Sequence, residues 1–225
     1  MSFFSEIPQP PVPEQVPQLR PVWMQPDHVI PGSVPGELLL IRTDDAAVAI
    51  GNIRAYPNGF EFTAHVRTRG EAKSGQGGPG LNDPFDRFRR RRDTPGDVLQ
   101  LGVLYADGRR GATTGSHDGS RGDLVLSPTG SSGTDRRYDS NFWVHPLPPD
   151  GPVTFVAAWP ERGVAETRTE LDGAAIHAAV ARAVTLWPEE PYMYPGGSPA
   201  TSSMTFTSRK VDEPESEAEP DRPQH

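Results

Sequence analysis

Apolar and polar residues alternate along the middle of the chain with the period of two that is typical of β-strands. Residues 60–69 read FEFTAHVRTR, so positions 60, 62, 64 and 66 are apolar while the positions between them are polar. Residues 97–106 read DVLQLGVLYA, and positions 99, 101, 103 and 105 form a second apolar face. Each pattern predicts a strand with one buried face and one face in contact with water.

Turn signals separate these strands from others of similar length. Pro-Asn-Gly at 57–59, Asp-Gly at 107–108 and Pro-Asp-Gly at 149–151 are typical of hairpin turns. Further strands are predicted at 37–42, 47–56, 109–114, 124–126, 141–147, 152–160, 164–171 and 201–207. About nine short strands with a turn every 8–12 residues indicate a mainly β fold, an antiparallel β-sandwich or a partly open barrel. Strands do not alternate with helices, which disfavours a doubly wound α/β fold.

One short C-terminal amphipathic helix is predicted over residues 173–186. Asp172 is a suitable N-cap, since its carboxylate can accept from the free amides of the first turn. Pro188 ends the helical pattern. An apolar stripe at helical spacing is expected to pack on one sheet; it consists of Ile176, Val180, Ala183, Val184 and Trp187.

The two ends of the chain differ in composition from the middle. Residues 1–34 form a proline-rich leader, which favours extended conformations over helix and is expected to begin packing at Trp23 and Met24. Residues 35–208 are predicted to form a single sandwich domain that includes the helix. Residues 209–225 are rich in acidic side chains and are predicted to be disordered.

Composition and charge exclude several classes of function. The chain of 225 residues has no cysteine, so disulfides, thiolate catalysis and cysteine-bound metals are excluded. A formal charge of −8 disfavours nucleic acid as a partner. The N-terminus lacks the pattern of a signal peptide and no apolar run reaches the roughly 20 residues that span a bilayer, so we predict a cytoplasmic protein without a membrane span.

No recognisable catalytic constellation is present. The six histidines lack metal-ligand spacing, and no G-x-S-x-G nucleophile motif occurs. His65 falls on the polar face of its strand and is interpreted as a solvated side chain. We therefore predict no catalytic residue, no metal site and no cofactor.

Two segments carry candidate binding residues. Residues 85–92 combine aromatic and basic side chains: Phe85, Arg87, Phe88, Arg89, Arg90, Arg91 and Arg92. This cluster is interpreted as a solvated loop or one that docks on the acidic tail, with a protein contact and then nucleic acid or anionic lipid as the alternatives. Aromatic residues near the end of the predicted domain, namely Trp187, Tyr192 and Tyr194, suit either a groove for peptides or sugars or a cover over the sandwich edge.

The stretch PPDGPVTFVAAWPERGVAETRTELDGAAIHAAVARAVTLWPE resembles a segment of actinobacterial proteins of unknown function. The resemblance covers about residues 146–190 and consists of the strand–turn–strand–helix layout and the ending on Trp-Pro-Glu. It implies a lineage and no mechanism.

Taken together, these patterns favour a non-enzymatic binding or protein-interaction module whose partner is another protein. The alternative is a hydrolase or small-ligand-binding protein whose site is assembled from distant strands. The sequence does not indicate an oligomeric state.

Overall fold

A computed structural model describes residues 20–69, 84–85, 98–113, 124–134 and 136–190, and the backbone of 17–18 and 192–193. The fold is mainly β, with antiparallel sheets and one α-helix, as predicted. In chain order the strands are β1 (Pro17–Gln18), β2 (Val29–Ile30), β3 (Gly32–Ser33), β4 (Leu38–Arg42), β5 (Ala46–Tyr56), β6 (Gly59–Thr68), β7 (Gln100–Tyr105), β8 (Arg110–Ala112), β9 (Val125–Gly133), β10 (Arg137–His145), β11 (Pro152–Trp159), β12 (Val164–Asp172), β13 (Val184–Thr185) and β14 (Tyr192–Met193). The helix α1 spans Gly173–Val180, and a 3₁₀ turn spans Pro160–Arg162.

Two larger sheets enclose the core. The six-stranded sheet has the order β3-β5-β6-β10-β9, with β4 also paired to β5. The four-stranded sheet has the order β12-β11-β7-β8. Two smaller sheets of two strands each pair β1 with β14 and β2 with β13.

Aromatic side chains join the facing surfaces of the two larger sheets. The ring of Phe62 on β6 stacks on Phe142 of β10 at 5.4 Å between centroids and meets Phe155 of β11 edge-on at 5.2 Å. The apolar face predicted for residues 60–66 is confirmed, since none of its four side chains is more than 3% exposed. The apolar face of residues 99–105 is likewise buried, at no more than 2% exposed.

The hairpin between β5 and β6 turns at Pro57 and Asn58, as the sequence predicts. The prediction depends on the positive φ angles that Asn-Gly tolerates, but these angles are not what the turn requires. Neither Asn58 nor Gly59 adopts a positive φ. Glycine is needed at position 59 because a Cβ there would lie 2.3 Å from the carbonyl oxygen of Val144 and 2.7 Å from the ring of Trp143. The turn is therefore selected by close packing against β10.

The helix is shorter than predicted and ends at Val180 rather than at residue 186. Its start is confirmed, since the carboxylate of Asp172 accepts from the amide of Ala174 at 2.9 Å. Ile176 is fully buried, but Val184 and Trp187, which were expected to share its apolar face, are each 55% exposed. The β-branched pair Val184–Thr185 leaves the helix and joins β2, so only the first part of the predicted stripe packs on the sandwich.

The sandwich belongs to a compact unit that also includes part of the leader. Contacts divide the chain into one unit of residues 19–192 and a second made of 1–18 and 193–225. The leader from residue 20 onward therefore belongs to the same unit as the sandwich. In the part of the chain that the structure describes, no helix has the length and apolar character needed to span a bilayer.

Candidate functional site

The outer face of the six-stranded sheet carries polar side chains in matched rows. Directly paired residues of antiparallel strands project to the same side of the sheet. Along β6 and β10 the paired rows are Glu61 with Trp143, Thr63 with Asn141, His65 with Asp139, and Arg67 with Arg137. We call these eight residues the polar ladder.

One end of the polar ladder contains a buried carboxylate, that of Glu61, whose side chain is 8% exposed. Its Oε1 atom accepts from the hydroxyl of Tyr56 and from Nε of Arg54, each at 2.8 Å. Its Oε2 atom accepts from Nε2 of Gln25 at 3.1 Å. Burial and the hydrogen bond to Glu61 raise the pKa of Tyr56 to about 12, so the phenol stays protonated as a donor.

The leader is held over this same end by its backbone carbonyls. Nδ2 of Asn58 donates to the carbonyl oxygens of Val22 at 2.9 Å and Met24 at 2.8 Å. The indole Nε1 of Trp143 donates to the carbonyl oxygen of Trp23 at 2.7 Å. The leader is therefore bound at Trp23 and Met24, the two residues where the sequence suggested that packing begins. These polar side chains bind the protein's own chain, so this end is closed to a ligand.

The other end of the polar ladder contains an aspartate–histidine pair. Nδ1 of His65 and Oδ1 of Asp139 lie 2.8 Å apart, although the two residues are 74 positions apart in the sequence. Arg67 donates to the same oxygen at 2.7 Å, and Arg137 to the other at 2.8 Å. Burial alone would raise the pKa of Asp139, but hydrogen bonds from Arg67, His65 and Arg137 outweigh it and hold this pKa well below its ordinary value.

An aspartate that orients a histidine is also part of the machinery of nucleophilic hydrolases. The ring of His65 lies beside Gly51, where a Cβ would come within 3.1 Å of Nε2. Among the described residues, however, no hydroxyl donates to His65, and the nearest one on its own strand, that of Thr63, donates to Asn141 at 2.8 Å. The pair therefore lacks a nucleophile in this part of the chain, and the solvated histidine that the sequence suggested is instead a half-buried one with an ionic partner.

An apolar surface lies on the two-stranded sheet formed by β2 and β13. Ile30 is directly paired with Val184, and their side chains are 54% and 55% exposed. The amide of Leu186 donates to the carbonyl oxygen of His28 at 2.9 Å, which continues the pairing by one further step. Leu186 and Trp187 are 45% and 55% exposed. We call Ile30, Val184, Leu186 and Trp187 the apolar strand pair.

The predicted binding residues fall in different places. Phe85 is 5% exposed and meets Phe142 edge-on in the core, which corrects its assignment to a surface cluster. Trp187 is 55% exposed, so it does not pack with the predicted helical stripe and is available as a binding residue. Tyr192 belongs to β14, where only the backbone is described. The remaining predicted residues, Arg87, Phe88, Arg89, Arg90, Arg91, Arg92 and Tyr194, lie outside the described residues.

Three members of the apolar strand pair were missed by sequence reasoning. Val184 was assigned to a buried helical stripe, and no role was given to Ile30 or Leu186. The signal that would have found two of them is the match between two β-branched dipeptides, Val29–Ile30 and Val184–Thr185, each of which favours a strand.

Comparisons with known proteins add no direct indication of function, because no family model, curated protein or solved structure matches this chain. Within the described residues, no three His, Asp or Glu side chains come together in an arrangement that would hold a metal ion. Function is therefore inferred from the surfaces themselves.

Proposed function

We propose that this protein is a non-enzymatic, cytoplasmic protein-interaction module that binds an extended apolar segment of a partner protein. The observation that supports this function is the pairing of Ile30 with Val184, both more than half exposed on adjacent strands. Large apolar side chains in register on a sheet surface are typical of interaction sites when several of them adjoin one another.

The backbone of β13 offers a second means of recognition. In the described part of the chain β13 pairs with β2 alone, which leaves its other edge without a strand partner. A partner segment in extended conformation would hydrogen-bond to that edge, while its alternate side chains would cover Val184 and Leu186. Burial of apolar area supplies the affinity, and Trp187 is of the residue type most often dominant in such interfaces.

The alternative function, a hydrolase or small-ligand-binding protein, draws support from the His65–Asp139 pair. It is the weaker proposal because a hydrolase of this type needs a nucleophile hydrogen-bonded to the histidine. Thr63 is engaged elsewhere, as described above. A protein-binding role requires no residue beyond those already exposed.

A photo-crosslinking residue at position 187 tests the proposed function in the full-length protein. The same crosslinker at position 166 is the control, since the side chain of Glu166 is 55% exposed but lies on β12 of a different sheet. We expect a crosslinked partner from position 187 that is absent from position 166. The purified partner should then bind the wild type, and the double change Val184→Lys with Leu186→Lys should weaken binding by about tenfold or more.

Two results would overturn the proposal. One is the same set of crosslinks from both positions, which would indicate nonspecific contact. The other is a partner whose affinity is unchanged by the double lysine variant while the variant keeps the wild-type melting temperature.

A further inference from the structure

A row of arginines crosses the open end of the polar ladder. Arg42 on β4 is paired with Ala47 on β5, Ala47 with Arg67 on β6, and Arg67 with Arg137 on β10. Paired positions share a face and adjacent strands lie about 4.8 Å apart. Three cations therefore occupy one face in a single transverse row, with an alanine as the only break. Like charges directly opposite each other are unfavourable unless anions lie between them.

The alanine creates a groove in this row. Ala47 lies between the long side chains of Arg42 and Arg67, and Arg69 and Leu39 line the same groove. The groove is open to solvent and has a volume of about 440 Å³. This lies within the range of about 300–1,000 Å³ that is usual for small-molecule sites.

The acidic groups near the groove do not balance its arginines. Five arginines and three aspartates of the described residues line it or bind to the residues that do, an excess of two positive charges in a chain whose total is −8. They are Arg42, Arg67, Arg69, Arg137, Arg162, Asp44, Asp45 and Asp139.

Two of the three carboxylates already have cationic partners. Asp139 binds Arg67 and Arg137, and Asp45 accepts from Arg162 at 2.6 Å. The guanidinium groups of Arg42 and Arg69 are exposed and have no acidic partner among the described residues. They are therefore free to bind an external anion.

We propose that this groove binds a small oxyanion-bearing ligand, a phosphate ester or a carboxylate. The exposed guanidinium groups of Arg42 and Arg69 hold the charged group, since the planar arginine fork matches the oxygens of both anions. Arg67, whose Nη1 donates to Asp139, adds positive charge at the edge of the groove. The apolar part of the ligand lies over Ala47 and against Leu39, which is 51% exposed. Asp44 lines the same groove and opposes an anion there.

Arginine-detected NMR of the full-length protein tests this site with three probes: inorganic phosphate, phenyl phosphate and benzoate. Each probe is titrated at constant ionic strength, with sodium chloride as the reference, while the Nε–Hε signals of Arg42, Arg67 and Arg69 are followed. We expect saturable shifts with phenyl phosphate, benzoate or both, and weaker binding of inorganic phosphate because it lacks an apolar part. The stronger of the two aromatic probes identifies the charged group that the groove prefers.

Two variants are expected to act in opposite directions. Arg69→Gln should weaken binding of the better probe by about tenfold, because it removes a charged hydrogen-bond donor. Asp44→Asn should strengthen it about two- to threefold by removing a repelling carboxylate. Arg110→Gln is the matched control, since Arg110 is exposed on β8 of the other large sheet and its loss changes the net charge equally.

The proposal is overturned if the shifts do not saturate, or if they equal those produced by chloride. It is also overturned if Arg110→Gln reduces affinity as much as Arg69→Gln does, which would indicate general screening rather than a site. All three substitutions change exposed side chains, so unchanged melting temperatures verify that folding is intact.

Discussion

The two ends of the polar ladder are built on the same strands with the same period, yet they have opposite environments. At one end Glu61 is 6% exposed and Trp143 is 3% exposed. At the other end the side chains of Arg67 and Arg137 are 43% and 66% exposed. All four residues project from the same outer face of β6 and β10.

The difference comes from a segment outside the sheet. The leader from Val22 to Gln25 is hydrogen-bonded over the first end, whereas no described segment is bound over the arginines. The period of a strand thus determines which side chains share a face, but not whether that face is covered. An outer face becomes part of the core or a binding surface according to what the rest of the chain lays on it.

The largest expected effect is from removing the indole that the leader covers. Trp143→Ala should lower the free energy of unfolding by about 3 kcal/mol or more, because it leaves a cavity against Tyr56 and removes the hydrogen bond to Trp23. Urea unfolding of the full-length protein measures it.

Arg137→Ala serves as the matched change at the open end of the polar ladder. It should cost less than about 1 kcal/mol, since exposed ion pairs contribute little. Equal losses of unfolding free energy in Trp143→Ala and Arg137→Ala would show that coverage by the leader does not make one end more important for stability than the other.

A smaller effect is expected from loosening the leader without opening a cavity. Asn58→Ala removes the donor to Val22 and Met24 and should cost about 1–2 kcal/mol. Hydrogen exchange should accelerate at the amide of Met24, which donates to the carbonyl oxygen of Pro21. Asn141→Ala, the same chemical change outside the leader's contacts, should leave that amide as protected as in the wild type.

Much of the fold follows from local patterns that packing does not override. The alternation at 60–66 and the cap at Asp172 depend on neighbouring residues alone, and both are found in the structure. Burial of Glu61 and Thr63, at 6% and 9% exposed, contradicts the polar face predicted for the same strand. It was not predictable from the period because neighbours that cover these residues, Gln25 and Asn141, are distant in sequence.

The candidate surfaces were harder to predict from the sequence than the fold was. Helical spacing from Ile176 to Trp187 suggested one continuous stripe, but pairing of Val184 with Ile30 ends it. The arginine row depends on three separate strand registers, which no local pattern specifies. The aromatic and basic residues around Phe85 were named as candidate binding residues from the sequence, whereas Phe85 itself is a core residue.

A further small effect, which depends on pH, concerns the carboxylate that holds the open end together. Because the pKa of Asp139 is lower in the folded protein than in the unfolded chain, its stabilising contribution is present above about pH 4 and is lost as the pH falls through the folded value. Asp139→Asn should therefore cost about 1 kcal/mol at pH 7, and this difference from the wild type should shrink as the pH is lowered from 5 to 2. Urea unfolding of the wild type and the variant at a series of pH values measures this difference. The other carboxylates are the same in both proteins, so their contributions to it cancel. Asp150→Asn, at an exposed turn, controls for the loss of one negative charge. A difference in unfolding free energy between the wild type and Asp139→Asn that instead stays constant down to pH 2 would mean that the arginines do not stabilise the ionised carboxylate. Strand pairing alone would then hold the open end together.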